Sequence, residues 1–186
     1  MVLHRFKTEP TKPSWPSPQY RQCTSDLKRG PIQREVRRYS KEHGFNIIID
    51  CVGIRAQESA ARSKQDPFKK VKDQSNSLRD WYSWLPIFQL TTSQVFEIIK
   101  NDGQKPHQAY ELGNERLSCV FCIMASKNDL VNGARHNPQL LERYIKLERI
   151  TGYTMHASLK PLSELVIPSS QDKIEEVPQR DLFDFC

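Results

Sequence analysis

The sequence predicts an α/β fold, and three segments in a row lead to this prediction. An amphipathic stretch that begins at Pro31 and stops at Gly44 predicts a helix, because proline is favoured in a first turn and glycine at a helix end. The run NIIIDCV follows at residues 46–52, and its β-branched residues predict a strand buried in a parallel sheet. A second apolar run, DWYSWLPIF at residues 80–88, predicts another strand.

Two further helices are predicted from their end signals. Thr91 and Gln94 have the spacing of a capping box at the start of an apolar-periodic segment. Asn137 is placed to cap a later helix with Pro138 at its first position and Gly152 as its stop. The apolar stripe of this later helix consists of Leu140, Leu141, Tyr144 and Leu147.

The rest of the chain predicts less regular structure. Residues 1–21 contain four prolines and predict an extended arm, because each proline lacks a backbone donor. Residues 64–79 are polar and predict a mobile surface loop. Residues 168–186 predict a flexible acidic tail, which leaves 22–167 as one α/β domain.

The charge of the chain suits an anionic ligand. Its 186 residues hold 28 Lys and Arg against 22 Asp and Glu, for a net charge of +6. Residues 170–186 contribute five acids and two bases, so the remainder carries +9. Such a body favours a nucleotide or a nucleic acid as its partner, with a generic solvated surface as the alternative.

No segment has the pattern of a membrane span or a secretory leader. The longest apolar runs are far shorter than the roughly 20 residues that a bilayer requires. The five cysteines are an odd number, which argues against a disulfide framework. We therefore expect a soluble, cytoplasmic protein whose thiols are available for metal binding, nucleophilic attack or core packing.

The segment GIRAQESAAR, residues 53–62, is the first candidate site. It follows the predicted strand directly, and ligands of open α/β sheets bind where strands end. If a helix starts here, Arg55, Ser59 and Arg62 share one face and offer a clamp for a sulfate or phosphate. Glu58 lies within reach of both arginines, so a plain surface salt-bridge ladder is the alternative.

Cysteines and basic residues mark two further candidates. Cys23 precedes Lys28 in a basic stretch, and nearby cations favour the thiolate that binds metal or attacks. Cys119 and Cys122 have the two-residue spacing of zinc, iron–sulfur and redox pairs, with Cys23 as a candidate third ligand. The candidate fourth ligands are Cys51, His107 and His136. Cys51 falls inside the predicted buried strand, which favours a core role over a ligand role. Cys186 is the last residue and is interpreted as a mobile thiol or as a residue without function.

Taken in order, these segments resemble the phosphoadenosine phosphosulfate reductase family of the adenine nucleotide α-hydrolase-like superfamily, and more closely its phage- and plasmid-borne branch. CTSDLKRGPI is similar to the segment in which a cysteine precedes a lysine and a proline-led helix. GIRAQESAAR resembles the substrate-binding motif of the family, and RLSCVFC resembles the CxxC half of its cluster site. The resemblance covers about residues 15–154.

The resemblance implies part of a parallel-sheet nucleotide α-hydrolase-like domain with a helical C-terminal part. It implies a phosphoadenylyl-sulfate reductase or sulfotransferase activity on an adenylyl sulfate or ATP. Its substrate contacts would be Lys28, Arg55, Ser59, Arg62 and Arg116. Cys23, Cys119 and Cys122 would hold a 4Fe–4S cluster or zinc.

Two features of the family have no counterpart here. The glycine-rich nucleotide loop is missing, since no glycine precedes Gly30, and the tail DLFDFC lacks the reductase cysteine motif. We therefore expect a truncated or split member, in which a separate chain supplies the nucleotide loop. The alternative is a non-enzymatic basic module that binds nucleic acid or protein around a structural metal. Sulfur transfer to nucleic acid would combine both readings.

Overall fold

The computed structural model describes residues 1–166, which form two compact units. We call Thr24–Pro106 the sheet unit. We call Met1–Cys23, together with the described residues from His107 onward, the helical unit. The α/β fold class is confirmed. The predicted tail and Cys186 lie outside the described residues, and the division into arm, domain and tail stays a prediction.

The helices and strands follow the chain in this order: α1 (Val2–Thr8), α2 (Gln22–Thr24), α3 (Gly30–Glu42), β1 (Ile47–Cys51), α4 (Ala60–Ser63), β2 (Phe68–Lys70), β3 (Asp80–Trp84), α5 (Thr92–Asn101), α6 (Gln108–Glu111), α7 (Lys127–His136), α8 (Pro138–Thr151) and α9 (Leu162–Leu165). A π-helical turn at Ser25–Arg29 leads into α3, and short 3-10 turns occupy Ala56–Glu58 and Lys72–Gln74. Among the described residues, no helix is both long and apolar enough to cross a membrane.

The sheet has the order β1-β3-β2. β1 runs parallel to β3, as the β-branched run predicts, whereas β2 is antiparallel to β3. The predicted burial of β1 is wrong: Ile47 is 61% exposed and Ile49 is 53% exposed. The reason is that β1 lies at the edge of the sheet, and on the face that carries Ile47 and Ile49 the side chains of Trp84 and Phe68 are exposed as well.

Two other predictions of irregular structure are wrong in part. Residues 1–21 contain α1, because the first proline is Pro10 and the residues before it are unrestricted. The arm also packs inward, since Ser14 and Trp15 are buried. The polar stretch 64–79 contains β2, whose backbone pairs with β3 although its side chains are exposed.

The helical unit has an apolar core of its own. α8 begins at Pro138 and ends at Gly152 in a left-handed conformation with φ 70°, as predicted. Asn137 does not cap it through its side chain; that side chain instead donates to the Gly133 carbonyl, 3.1 Å away. The buried core consists of Trp15, Phe121, Ile123, Ala125, Leu130, Met155 and Leu162.

Candidate functional site

The segment that follows β1 positions two arginines around one carboxylate. Arg55 is extended and Ser59 is extended, so the predicted single helix over Arg55, Ser59 and Arg62 is wrong. The chain instead forms a 3-10 turn and then α4, with Ser59 as its N-cap: the Ser59 hydroxyl accepts from the Arg62 backbone N–H at 3.2 Å. A serine cap competes with helix continuation, because its hydroxyl replaces a backbone acceptor.

Glu58 joins the two guanidiniums. Its Oε1 lies 3.6 Å from Arg55 Nη2, its Oε2 accepts from the Arg55 backbone N–H at 3.2 Å, and the same Oε2 pairs with Arg62 Nη1. Burial alone would raise the pKa of Glu58, but the Arg55 backbone N–H and the Arg62 guanidinium hold that pKa below its usual value. The salt-bridge ladder expected as the alternative is therefore present.

Polar groups at the start of α5 complete this loop. Arg55 Nη1 donates to Thr92 Oγ1 at 2.9 Å, and Gln57 Oε1 accepts from the Thr92 backbone N–H at 2.9 Å. These bonds fix the Arg55 guanidinium, whose side chain is only 16% exposed. The sequence pattern gives no indication that Gln57 and Thr92 contribute to this site. Thr92 lies beside the predicted capping box of Thr91 and Gln94, which is observed.

Lys28 lies in the π-helical turn before α3 and is exposed. Gly30 ends this turn, and a Cβ built at Gly30 would lie 2.8 Å from the Ser25 carbonyl oxygen. Only glycine allows that approach without a shift of the backbone. This turn belongs to the sheet unit, as does the segment of residues 53–62, which we call the Arg55 loop.

Three cysteines of the helical unit lie within electrostatic reach of one phenol. Burial raises the pKa of Tyr144, and the charges of Cys119, Cys23 and Cys122 raise it further, with Arg143 opposing them. The Tyr144 ring packs against Trp15 at 5.7 Å and Phe121 at 5.2 Å between ring centroids. Tyr144 belongs to the predicted apolar stripe of α8, but nothing in the sequence indicated its proximity to the thiols.

Helix α7 lies close to the CxxC loop, which is formed by residues 119–122. Gly133 of α7 is buried, and a Cβ there would lie 2.9 Å from the carbonyl oxygen of Val120, which stands between the two cysteines. Cys122 packs against the core, whereas Cys119 is exposed. None of the four described cysteines forms a disulfide.

Arg116 precedes the CxxC loop in the helical unit. Its Nη2 donates to the Met124 carbonyl oxygen. The neighbouring backbone is held by Asp129, which is almost fully buried and whose Oδ1 accepts from the Glu115 N–H at 2.8 Å. Asp129 Oδ2 is buried without a hydrogen-bond partner. This carboxylate therefore fixes the segment that carries Arg116.

The structure groups the predicted residues in two sets. Arg55, Ser59 and Arg62 lie together in the sheet unit, which also holds Lys28. Cys23, Cys119 and Cys122 lie in the helical unit, where their charges act on Tyr144. Cys51 is exposed at the end of β1, so its expected core role is wrong. Over residues 1–166, no three His, Cys, Asp or Glu side chains stand close enough to hold a metal ion as they lie.

Comparison with known proteins identifies the family. The model of the phosphoadenosine phosphosulfate reductase domain matches residues 3–125, and the chain belongs to this family. A 37.8 kDa protein of Escherichia phage 186, itself uncharacterised, is 30% identical over 139 residues, which are 75% of this chain and 40% of the phage protein. This relative is consistent with the phage-type branch.

Two uncharacterised proteins of Methanocaldococcus jannaschii are also similar. One is 24% identical over 129 residues, covering 69% of this chain and 25% of the relative. The other is 24% identical over 138 residues, covering 74% of this chain and 31% of the relative. The chain thus spans less than half the length of these relatives. No solved structure matches it.

Proposed function

We propose that the chain forms part of a domain that binds an adenylyl sulfate or ATP and acts in sulfur transfer. The observation that carries this proposal is the Arg55 loop: two guanidiniums lie at the carboxyl end of a parallel strand, where ligands of such sheets bind. Lys28, Arg55, Ser59 and Arg62 would contact sulfate or phosphate oxygens. Arg116, in the helical unit, stays a predicted contact of the family resemblance alone.

The chemistry of the loop supports an anionic ligand. Thr92, which is itself held by Gln57, accepts from the Arg55 guanidinium, so little rotamer entropy is lost when the forked donors of Arg55 meet an oxyanion. Glu58 balances one of the two positive charges in the ligand-free protein. A phosphate or sulfate would compete with that carboxylate for Arg62, whose side chain is the more exposed of the two arginines at 42%.

The family's glycine-rich nucleotide loop would come from an adjoining region or a separate chain. Such a loop cradles phosphate with backbone N–H groups. The sequence before Gly30 has no glycine to build one. We therefore propose that this chain contributes the Arg55 loop and that tight nucleotide binding also needs the glycine-rich loop, which we call the complement.

The thiols of Cys23, Cys119 and Cys122 have the donor chemistry of a 4Fe–4S cluster or of zinc. The described side chains do not converge into a ligand set as they lie, so loading would require a rearrangement of these side chains. A bound cluster would supply electrons or orient a sulfur substrate, and zinc would be structural. Cys23, Cys119 and Cys122 would be the protein ligands.

Calorimetry with phosphoadenylyl sulfate and with ATP tests the nucleotide proposal. We expect weak binding by the chain alone and tighter binding when the complement is present. Arg55→Ala should weaken binding about tenfold or more, since it removes a charge-assisted contact. Arg38→Ala is the matched control, because Arg38 pairs with Glu35 and Glu42 on α3.

Three results would decide against this function. Equal loss in the Arg55 and Arg38 variants would mean that only general positive charge attracts the nucleotide. No binding with or without the complement would overturn the nucleotide proposal. Salt-dependent binding of DNA without any nucleotide binding would favour the basic module instead.

Metal content and visible absorbance of anaerobically purified protein test the cofactor. We expect iron with broad visible absorbance, or zinc without it, and loss of either in Cys119→Ser and Cys122→Ser. Cys51→Ser is the comparison, because Cys51 is a candidate fourth ligand that lies in the sheet unit, and unchanged metal content in this variant would exclude it as a ligand. Metal-free protein would leave these cysteines as core or redox thiols.

A further inference from the structure

The CxxC loop places two cysteines at the ends of one tight turn. Val120 and Phe121 form the middle of this turn, so Cys119 and Cys122 are its first and fourth residues. The first and fourth Cα atoms of such a turn lie within about 7 Å of each other. Disulfides usually span about 4.4–6.8 Å between their Cα atoms. The backbone of this loop is therefore compatible with a bond between Cys119 and Cys122.

Contacts on both sides of the turn hold its backbone. Behind it, α7 approaches so closely that a Cβ at Gly133 would lie 2.9 Å from the Val120 carbonyl oxygen. After it, the Ala125 N–H donates to the Cys122 carbonyl oxygen at 3.0 Å. The Arg116 guanidinium spans the loop and donates to the Met124 carbonyl oxygen. The spacing of the two cysteines is thus fixed by packing and hydrogen bonds before any bond joins their sulfur atoms.

The two thiols differ in how easily a second molecule can reach them. Cys119 is exposed, whereas Cys122 is half-buried and packs against the core of the helical unit. The apolar side chains around Cys119 are 38–52% exposed and leave an approach to it open; they are Leu117, Val120 and Met124. In thiol–disulfide exchange, access decides which sulfur reacts first. Cys119 is therefore the thiol that meets the second molecule, and Cys122 lies behind it.

A disulfide asks less of this loop than a metal does. The described part of the chain brings no three candidate metal ligands together as they lie. A disulfide needs only two cysteines at the right separation, and the turn already provides them.

We propose that Cys119 and Cys122 form a redox-active pair that exchanges with a small organic disulfide. The Cys119 thiolate attacks one sulfur of that disulfide, and the sulfur that departs leaves as a thiol. The Cys122 thiolate then attacks Cys119 Sγ and displaces the second thiol. Two electrons and two protons pass from the pair to the small molecule, which ends as two thiols, while the chain gains one disulfide.

This activity goes beyond the proposed function, because neither a nucleotide nor a metal takes part in the exchange. The same two thiols are the proposed metal ligands. A closed disulfide and a bound metal are therefore mutually exclusive states of the CxxC loop.

Oxidised glutathione tests the exchange on the full chain, reduced and stripped of metal with a chelator. Trypsin cuts after Arg116 and Lys127, so both cysteines fall in the peptide 117–127. After brief oxidation and blocking of the remaining thiols, we expect this peptide to be lighter by two hydrogen atoms and to carry no blocking group. Cys51 is the internal reference, because it is exposed in the sheet unit and should retain glutathione.

Two variants test the order of attack. Cys122→Ser should trap glutathione on Cys119, because the second thiol that would displace it is missing. Cys119→Ser should slow the reaction of this peptide about tenfold or more, because Cys122 packs against the core. Three results would overturn the inference: a peptide that never closes, a disulfide from Cys23 to either cysteine, or a Cys119→Ser variant that reacts as fast as the unmodified chain.

Metal content of the same preparations, measured before chelation, separates this inference from the proposed cofactor. A metal-loaded chain whose peptide 117–127 never closes after chelation would overturn the exchange and leave the cofactor standing. A closed peptide in a chain that takes up neither iron nor zinc would support the exchange and overturn the cofactor.

Discussion

The two units differ in how completely each buries its apolar residues. The helical unit encloses a core in which Leu130 and Leu162 are fully buried. The sheet unit buries Trp81, Leu85 and Phe88 but leaves Ile47, Ile49 and Phe68 of its strands at least half exposed. Burial of apolar surface is the main driving force of folding. The apolar side chains of the helical core therefore contribute more to stability than those of β1.

Truncation of a core leucine gives the largest contrast between the units. Leu130→Ala or Leu162→Ala should lower the free energy of unfolding by about 2–5 kcal/mol, because each leaves a cavity in a closed core. Ile49→Ala should lower it by less than about 1 kcal/mol, because Ile49 is already half exposed. Urea denaturation followed by tryptophan fluorescence measures both. Equal losses would mean that Ile49 is covered in solution.

Gly133→Ala tests how tightly α7 packs on the CxxC loop. The added methyl group would lie 2.9 Å from the Val120 carbonyl oxygen, so the loop must move. We expect a loss of about 1–3 kcal/mol in the free energy of unfolding, with faster modification of Cys122 by a thiol reagent. Gly53→Ala is the control in the sheet unit, since its nearest neighbour would be Ile87 Cδ1 at 3.7 Å. Unchanged stability and thiol reactivity would contradict the close packing.

The sequence predicts local structure better than it predicts burial. Helix ends at Thr91 and Gly152 depend on backbone chemistry within a few residues, and the structure has them as predicted. The predicted start at Pro31 is wrong, because helical structure begins at Gln22 and continues through the π-helical turn into α3. The burial of Ile49 depends on which elements cover β1, and a β-branched run carries no information about whether its covering layer is present. The pattern therefore predicts the strand correctly and its environment wrongly.

In the candidate site, too, the sequence predicts contacts between near neighbours but not contacts between distant residues. The spacing of Arg55 and Arg62 predicts that both reach Glu58, and they do, although Ser59 interrupts the expected helix. The contact of Arg55 with Thr92 joins positions 37 residues apart, which no local pattern encodes. The position of Tyr144 near the cysteines likewise arises from packing distant segments.

The phenol of Tyr144 gives the helical unit a dependence on alkaline pH. Burial and then the charge of Cys119 raise its pKa in the folded protein, so the unfolded chain ionises first. The stability that this group contributes is complete below about pH 10, the unfolded value, and is lost as the pH rises through the folded pKa. Tyrosinate absorbance should show a late titration phase that Tyr144→Phe removes.

Two variants check the cause of that shift. Cys119→Ser should move the late titration of Tyr144 to lower pH, because it removes the nearby thiolate. Tyr20→Phe should leave the late phase in place, since Tyr20 is 74% exposed. Loss of the late phase in the Tyr20 variant would mean that this phase does not belong to Tyr144.

Glu58→Gln should give the smallest change in stability, and it tests whether the Glu58 carboxylate competes with a phosphate for the arginines of the Arg55 loop. Its ion pairs are partly exposed, so the free energy of unfolding should change by no more than about 0.5 kcal/mol. The arginines would then carry their full positive charge, and ATP affinity should rise by about threefold to tenfold. Because the pKa of Glu58 lies below its usual value, the carboxylate is charged at neutral pH, and the gain shrinks only as the pH falls through that lowered pKa.

Glu97→Gln is the control for this charge change, since Glu97 is exposed on α5 and likewise removes one negative charge from the sheet unit. Calorimetric titration with ATP should separate the two variants. An equal rise in both would mean that net charge alone governs binding. A fall in affinity specific to Glu58→Gln would mean that this carboxylate holds Arg55 and Arg62 in the geometry that receives the phosphate. Glu58 would then be a positioning residue of the Arg55 loop, and its carboxylate would not compete with the ligand.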